Sequence, residues 1–280
     1  MARSDLTPES LRTASRQEVE RLSRAAAGAV YCGGGVVLCR VLARYLMYVP
    51  GDDLGVASHL MMEGFWEAWV TLAVARLVRP GWRCVNVGAH VGYYAVLMAD
   101  LAGPVGGVWA FEPNARLHDL LGRNVEVNGL HGRVRLFRSA VGAEAKDGVP
   151  LTYPRRMPGS GSVARVPERE GLHTDSTAVV TLDDALGPSL RPNLMVIDAE
   201  GADYDVIQGA RETLAANPGC VVVYEHLASF YADPAARLRG VLDMGFRLRH
   251  VTYDGAVLPA TPEGILGDTG RCWTLVLSRS

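Results

Sequence analysis

Residues 82–94 read Trp82-Arg83-Cys84-Val85-Asn86-Val87-Gly88-Ala89-His90-Val91-Gly92-Tyr93-Tyr94. The short apolar run 84–87 is typical of a buried strand, it breaks at Gly88 and Gly92, and an apolar helical pattern follows over residues 93–101. A strand that leads through a glycine turn into a helix N-terminus is how α/β proteins bind nucleotide-like ligands. The glycines let the backbone approach the ligand, and the free N–H groups of the helix face it. We therefore predict a nucleotide-like site here; the alternative is a structural turn that binds nothing.

The spacing of the glycines restricts the kind of nucleotide. The dinucleotide pattern G-x-G-x-x-G needs a glycine at position 90, where this chain has His90, and no G-x-x-x-x-G-K-[ST] phosphate loop occurs. About 20 residues further on, a second apolar run (108–111) ends at Glu112, whose carboxylate can accept hydrogen bonds from both hydroxyls of a ribose. Together these features favour S-adenosylmethionine, an adenosine that carries a cationic sulfonium and no phosphate.

The composition is that of a globular protein with a well-filled core, since 49% of the 280 residues are hydrophobic and 21% are charged. A formal net charge of −2 gives no basis for nucleic-acid or acidic-membrane binding through bulk electrostatics. The five cysteines are scattered without a C-x-x-C pair, which favours a cytoplasmic location. The uncharged run 25–39 is shorter than the roughly 20 residues of a membrane span. We predict a buried helix and a glycine turn there, and no membrane contact.

The order of the predicted elements indicates an α/β fold. From residue 82 onward strands alternate with helices, as a parallel sheet with crossover helices requires. The predicted strands are 82–87, 107–112, 133–138, 194–198, 220–225, 246–251 and 272–278, and the predicted helices are 92–101, 114–128, 203–215 and 234–244. Residues 141–182 interrupt this alternation and predict a β-hairpin and loop insertion. Residues 1–78 predict an N-terminal helical cap in front of a domain that spans 79–280.

Chemically active side chains follow the predicted strands. Ligands bind at the carboxyl ends of strands in an open parallel sheet. Those ends carry Asn86, Glu112, Ser139, the pair Asp198 and Glu200, and the pair Glu225 and His226. We predict His226 as the general base, with Asp198, Glu200 or Glu225 orienting its ring. The alternatives are an ordinary loop histidine at 226 and helix-capping acids at 198 and 200.

Six motifs make the chain resemble the FkbM family of S-adenosylmethionine-dependent methyltransferases. They are V-N-V-G-A-H-V-G-Y-Y (85–94), A-F-E-P-N (110–114), N-G-L (128–130), T-L-D-D (181–184), V-I-D-A-E-G-A-D-Y-D-V-I-Q-G-A (196–210) and V-V-V-Y-E-H (221–226). The resemblance covers roughly residues 79–246 and leaves the first 78 residues without a matched motif. It implies a Rossmann-like class I methyltransferase fold with a mostly parallel seven-stranded sheet, and usually O-methylation.

The resemblance also implies which residues bind the methyl donor. The turn at Gly88 would hold the methionine part, Glu112 the ribose, Ser139 and Ala140 the adenine edge, and Asp198 the side of the methyl group. Asn86 stands where the family usually has Asp. Its neutral amide can accept a hydrogen bond from the donor ammonium but adds no charge attraction. The predicted cofactor-binding residues are Asn86, Gly88, His90, Gly92, Tyr94, Glu112, Pro113, Ser139, Ala140 and Asp198.

The predicted function is transfer of a methyl group to a hydroxyl of a small molecule such as a sugar, a nucleoside or a polyketide-type secondary metabolite. N-methylation, carboxyl methylation and a catalytically silent scaffold stay open as alternatives. A Mg²⁺ site at Asp198, Glu225 and His226, as in methyltransferases that resemble catechol O-methyltransferase, is an alternative. The imidazole favours proton transfer instead, so no metal is predicted. Arg155, Arg156, Arg165 and Arg169 are expected in a solvated loop, and contact with an acidic substrate is the alternative. Nucleic acid is not an expected partner, and a homodimer is left open.

Overall fold

The N-terminal part of the chain combines helices with a small sheet. The computed structural model describes residues 6–166 and 170–279. Four helices form here, α1 (Pro8–Thr13), α2 (Arg16–Ala26), α3 (Val56–Met62) and α4 (Ala68–Leu77). Between α2 and α3 lie three antiparallel strands, β1 (Ala29–Tyr31), β2 (Val36–Val41) and β3 (Tyr45–Pro50).

The prediction of a wholly helical cap is therefore wrong for residues 29–50. Gly33, Gly34 and Gly35 all adopt positive φ, and this left-handed turn reverses the chain between β1 and β2. Valine-rich β2 then pairs along its length with β3, from Val36 opposite Pro50 to Val41 opposite Tyr45. A short apolar run does not distinguish a buried helix from a strand, and here the glycine turn makes the hairpin.

The main sheet confirms the predicted fold class. Its strands are β4 (Arg83–Val87), β5 (Gly107–Phe111), β6 (Val134–Phe137), β10 (Leu194–Ile197), β11 (Val221–Leu227), β12 (Arg247–Val251), β13 (Val257–Pro259) and β14 (Cys272–Ser278). They lie in the order β13-β12-β14-β11-β10-β4-β5-β6. The five strands from β11 to β6 are parallel, and β14 runs antiparallel to both of its neighbours. All seven predicted strands form, and β13 adds an eighth as an edge hairpin with β12.

Crossover helices cover this sheet. They are α5 (Tyr93–Ala102), α6 (Ala115–Val127), α7 (Leu182–Leu186), α8 (Asp203–Gln208), α9 (Arg211–Ala215), α10 (Pro234–Asp243) and α11 (Pro262–Leu266). The predicted helix 203–215 divides into α8 and α9 at residues 209–210. A Cβ at Gly209 would overlap the carbonyl oxygen of Gly142. The close approach of these two backbones therefore requires a glycine at the break.

The predicted insertion forms a second small sheet. Strands β8 (Lys146–Pro154) and β9 (Leu172–Val180) pair antiparallel, and β7 (Ala140–Val141) pairs parallel with β9. A 3-10 turn at residues 158–160 follows β8. Because β7 begins just after β6 ends, the hairpin is joined to the same edge of the main sheet that carries the predicted site.

The N-terminal segment and the main sheet share one hydrophobic core. Buried Leu11, Met47 and Leu60 belong to the same packed cluster as Leu97 of α5 and Leu121 of α6. The division of the chain at residue 78 stays a prediction. Within the described ranges, no helix is both long enough and apolar enough to span a membrane.

Candidate active site

A deep pocket lies at the carboxyl ends of β4, β5, β10 and β11, the edge where the sequence predicted the site. It contains about 1270 Å³ of empty space, its open mouth included. One wall comes from the strand ends, a second from the N-terminal segment and a third from the insertion. The N-terminal segment contributes Asp53, Gly55, Val56, Trp66 and Glu67, and the insertion contributes Leu151, Met157, Pro158, Gly159, Ser160, Gly161 and Val163.

The glycine turn after β4 forms the floor of this pocket. Gly88 has a φ of 72°, and a Cβ there would overlap the carbonyl oxygen of Asp198, so the turn and the end of β10 approach each other through backbone alone. His90 adopts the left-handed region with φ 52°, which His tolerates better than most residues. Gly92 caps α5 and packs against Leu121 behind the turn, outside the pocket lining.

Glu112 follows β5 directly and lines the pocket beside the glycine turn. Its two carboxylate oxygens accept hydrogen bonds from the backbone N–H groups of His90 and Asn114, each at 2.8 Å. The side chain is 5% exposed, and burial raises its pKa to about 7 against the opposing effect of these two bonds. Each oxygen keeps a second lone pair that can accept a hydroxyl hydrogen. The ribose contact itself stays a prediction.

The other predicted cofactor residues divide into two groups. Besides Gly88 and Glu112, the pocket is lined by His90, Tyr94, Pro113, Ser139, Ala140 and Asp198. Asn86 is not in the lining: it is 1% exposed, and its side-chain nitrogen lies 3.5 Å from the carbonyl oxygen of Val196 on the neighbouring strand. This placement does not support the predicted contact between Asn86 and the donor ammonium.

The predicted catalytic acids lie in the pocket. Asp198, Glu200 and Glu225 all line it. Asp198 is accessible from the pocket interior although protein surrounds it. Burial and then the nearby charges of Glu225 and Glu200 raise its pKa well above the ordinary range. A carboxyl in this state can hold or accept a proton near neutral pH.

Glu200 is held by the insertion. Arg165 donates a hydrogen bond to its carboxylate at 2.9 Å and another to its backbone oxygen at 3.1 Å. The same guanidinium lies 3.7 Å from the ring centre of Phe230. The expectation that Arg165 belongs to a solvated loop is therefore wrong, because the side chain ties the insertion to the turn after β10. Arg169 lies outside the described residues.

The structure does not bring His226 into the pocket. Successive side chains of a strand point to opposite faces, so Glu225 faces the pocket while Tyr224 and His226 face away from it. His226 is 1% exposed and stacks on Tyr231 with a centroid distance of 5.3 Å. Burial lowers its pKa to about 4. This geometry does not fit the predicted role as general base, and it separates His226 from the two acids weighed for a metal site.

The described ranges contain no group of three or more His, Cys, Asp or Glu side chains arranged to hold a metal ion. That the reaction needs no metal stays a prediction from the sequence.

Three residues outside the predicted site list also shape the site, and of these only Asp203 lies in one of the sequence motifs. Asp203, 1% exposed, accepts hydrogen bonds from the backbone N–H groups of Ala199 and Gly201, and it thereby holds the turn after β10. Asp53 lies with a carboxylate oxygen 3.6 Å from Nε2 of His90, and Glu67 reaches the pocket from the start of α4. Neither Asp53 nor Glu67 belongs to a recognisable motif, since only the tertiary fold brings them to the strand ends.

A family model described as the methyltransferase FkbM domain matches residues 86–248 of this chain. The chain belongs to the FkbM methyltransferase family. The matched range includes the Gly88 turn, Glu112, both acids after β10 and the end of β11, and it excludes the N-terminal wall of the pocket.

Two curated methyltransferases are similar to part of the chain. Methyltransferase sdnD of Sordaria araneosa is 24% identical over 159 residues, covering 46% of this chain and 60% of that protein. Methyltransferase 1 of Beauveria bassiana (strain ARSEF 2860) is 27% identical over 144 residues, covering 45% and 57%. The chain therefore matches about three fifths of the length of these relatives.

A solved structure supports the fold of this FkbM family member. A Pyrococcus horikoshii protein described as a transferase superposes with a TM-score of 0.50 at 11% identity, covering 88% of this chain and 72% of its own. At that level of identity the likeness shows the shared fold and nothing more.

Proposed function

We propose that this protein is an S-adenosylmethionine-dependent methyltransferase that methylates a hydroxyl oxygen of a small molecule. The observation that carries the proposal is the Glu112 carboxylate, held by two backbone N–H groups beside the glycine turn in the pocket. In a Rossmann-like fold, an acid at the end of the second strand binds the ribose of a nucleoside.

The charge of the pocket supports this donor. Among the described residues, six acids line the pocket and neither lysine nor arginine does: Asp53, Glu67, Glu112, Asp198, Glu200 and Glu225. Phosphate-bearing nucleotides would be repelled by such a lining, whereas a ligand with a sulfonium and an ammonium group would be attracted. Membership of the FkbM family agrees with this choice.

The same charge supports a hydroxyl acceptor over a carboxylate acceptor. A carboxylate would enter the acidic pocket against like charge. A hydroxyl is neutral and must lose a proton as it is methylated. When bound, the donor supplies an electrophilic methyl group. Asp198 and Glu225 face the pocket and can accept the hydroxyl proton, and the raised pKa of Asp198 suits this task.

The acceptor lies between the N-terminal segment and the insertion in this proposal. Trp66, Met157 and Val163 offer apolar surface on these two walls. Because three walls enclose the pocket, a small molecule fits it better than a folded nucleic acid. Sugars, nucleosides and polyketide-type metabolites are the acceptor classes to screen.

Calorimetric titration with S-adenosylmethionine and S-adenosylhomocysteine tests the proposal. The wild-type protein should bind both ligands with micromolar affinity. Glu112→Ala should weaken both by roughly tenfold to a hundredfold, because hydrogen bonds to a charged group contribute about 1.5–3 kcal/mol. The matched control is Glu126→Gln, an exposed acid on α6 that should leave affinity unchanged. Folded wild-type protein that binds neither ligand would refute the proposal and favour a silent scaffold.

A further inference from the structure

Glu67 enters the pocket from a part of the chain that the family match does not cover. It stands immediately before α4, and its backbone adopts the left-handed region with φ 36° and ψ 70°. Ser, Thr, Asp and Asn are the residues that commonly cap a helix at this place, and the Glu67 side chain makes no capping hydrogen bond. Its carboxylate is directed into the pocket instead.

The carboxylate of Glu67 has little there to balance its charge. The hydroxyl of Tyr94 donates to it at 3.4 Å. Burial, and then the nearby charge of Glu225, raise its pKa to about 8. No arginine or lysine in the described part of the chain lines the pocket. With this pKa the acid is mostly protonated at neutral pH in the free protein, and a positive charge that a ligand brings with it would stabilise the ionised carboxylate.

The position of Glu67 along the pocket indicates which part of the ligand would carry this positive charge. Tyr94 lies in the first turn of α5, directly after the glycine turn, and Asp198 lies across that turn at the end of β10. Glu112 and Ser139, which mark the ribose and adenine ends in the proposed function, follow β5 and β6. Glu67 is therefore at the end of the pocket where the methionine part of the donor would lie.

We infer that Glu67 binds a cationic group of the donor's methionine moiety, so that the N-terminal segment completes the donor site of the FkbM domain. This inference rests on the proposed function. The donor carries two such groups, the sulfonium and the α-ammonium, and both are attracted to a carboxylate by the same charge interaction. Glu67 would then select the charged donor, while Glu112 recognises its nucleoside.

Three ligands distinguish the two cationic groups. S-adenosylmethionine carries both groups, S-adenosylhomocysteine keeps only the ammonium, and 5′-methylthioadenosine has neither. The variant is Glu67→Gln, which removes the charge and retains an oxygen for the Tyr94 hydrogen bond. The control is Glu63→Gln in the same segment, because Glu63 pairs with Arg24 at 3.1 Å outside the pocket.

Glu67→Gln should weaken S-adenosylmethionine binding by at least about tenfold and leave 5′-methylthioadenosine within about twofold of wild type. Glu63→Gln should bind all three ligands like the wild type. An equal loss for S-adenosylhomocysteine assigns the contact to the ammonium, and an unchanged S-adenosylhomocysteine affinity assigns it to the sulfonium.

Two results would overturn the inference while leaving the proposed function standing. The first is a folded Glu67→Gln protein that binds S-adenosylmethionine as tightly as wild type. The second is an equal loss for all three ligands, which shows general damage to the pocket. Wild-type protein that binds none of the three would instead reject the proposed function, and this inference with it.

Discussion

At the scale of single residues, His226 shows how the alternation of a strand decides a role. Glu225 and His226 are adjacent in sequence, both polar, and both at the end of a buried strand. The sequence therefore predicts both in the site, yet only one of two successive side chains can face the pocket. In β11 that residue is Glu225, and His226 packs against Tyr231 instead.

The buried imidazole makes stability depend on pH. Burial lowers the pKa of His226 from its ordinary 6.5 to about 4, so the folded protein favours the neutral ring. Between these two values the unfolded chain binds the proton more tightly. The contribution of His226 is therefore complete above pH 6.5 and is lost as the pH falls towards 4, by up to about 3 kcal/mol.

We expect His226→Phe to remove this dependence while keeping the ring contact with Tyr231. Urea unfolding at several pH values between 7.5 and 4.5 should show a wild-type stability that falls more steeply with acid than that of the variant. Buried acids such as Glu112 and Asp203 titrate in both proteins, and their contributions cancel in the difference. If the stability of both proteins falls equally with acid, His226 is not the source of the dependence. If His226→Phe loses donor binding, His226 belongs to the site after all.

At the scale of elements, the loop between β8 and β9 is attached on two sides to the rest of the pocket. Arg165 pairs with Glu200 after β10, and the hydroxyl of Ser162 donates to the backbone oxygen of the same residue at 2.9 Å. On the other side, the backbone N–H of Leu54 donates to the oxygen of Arg156 at 2.8 Å. The hairpin is therefore a fixed wall that joins the N-terminal segment to the sheet edge.

The Arg165–Glu200 pair should contribute measurably to that attachment. The two side chains are partly buried, with 25% and 20% of their surface exposed, and the guanidinium also stacks on Phe230. A double-mutant cycle of Arg165→Gln and Glu200→Gln, read from urea unfolding, should give a coupling energy of about 1 kcal/mol. The control cycle uses Lys146 and Glu144, an exposed pair of the same insertion, where coupling should be near zero. Equal coupling in the two cycles would show that burial of the first pair adds nothing.

At the scale of the whole molecule, the N-terminal segment contributes to the core of the sheet domain as well as to the pocket. The side chain of Asn124 on α6 bonds both backbone groups of Tyr48 in β3, accepting at 2.6 Å and donating at 2.9 Å. Arg12 donates to the backbone oxygens of Val78 and Leu101. Because of these contacts and the shared core, we expect the N-terminal segment and the rest of the chain to fold together and not as two independent units.

A chain restricted to residues 79–280 should therefore fail to fold cooperatively. Without the N-terminal segment, the buried faces of α5 and α6 become exposed, and the Asn124 amide loses its hydrogen bonds to the backbone of Tyr48. Near-UV circular dichroism and urea unfolding of the short and full chains are the measurements. A sharp unfolding transition in the short chain would support the division at residue 78 that the sequence predicts.

Several features were accessible from the sequence because they depend on local chemistry. The turn at residues 88–92 needs glycine where φ is positive and the backbone approaches β10. Such a turn between a strand and a helix can be predicted from the sequence alone. Glu112 follows at the end of the next strand, and the Pro- and Gly-rich interruption at 141–182 marks the hairpin. Each of these rests on neighbours in sequence.

By itself, then, the sequence determined the α/β class, the strand, glycine turn and helix that begin at β4, and the acids that reach the sheet edge. Only the tertiary structure decided the rest. It turned residues 29–50 into strands, directed His226 away from the pocket, paired Arg165 with Glu200, and brought Glu67 into the pocket. The physical reason is that these outcomes depend on which face of an element is buried and on which distant segment covers it. Neither is encoded in a short run of residues.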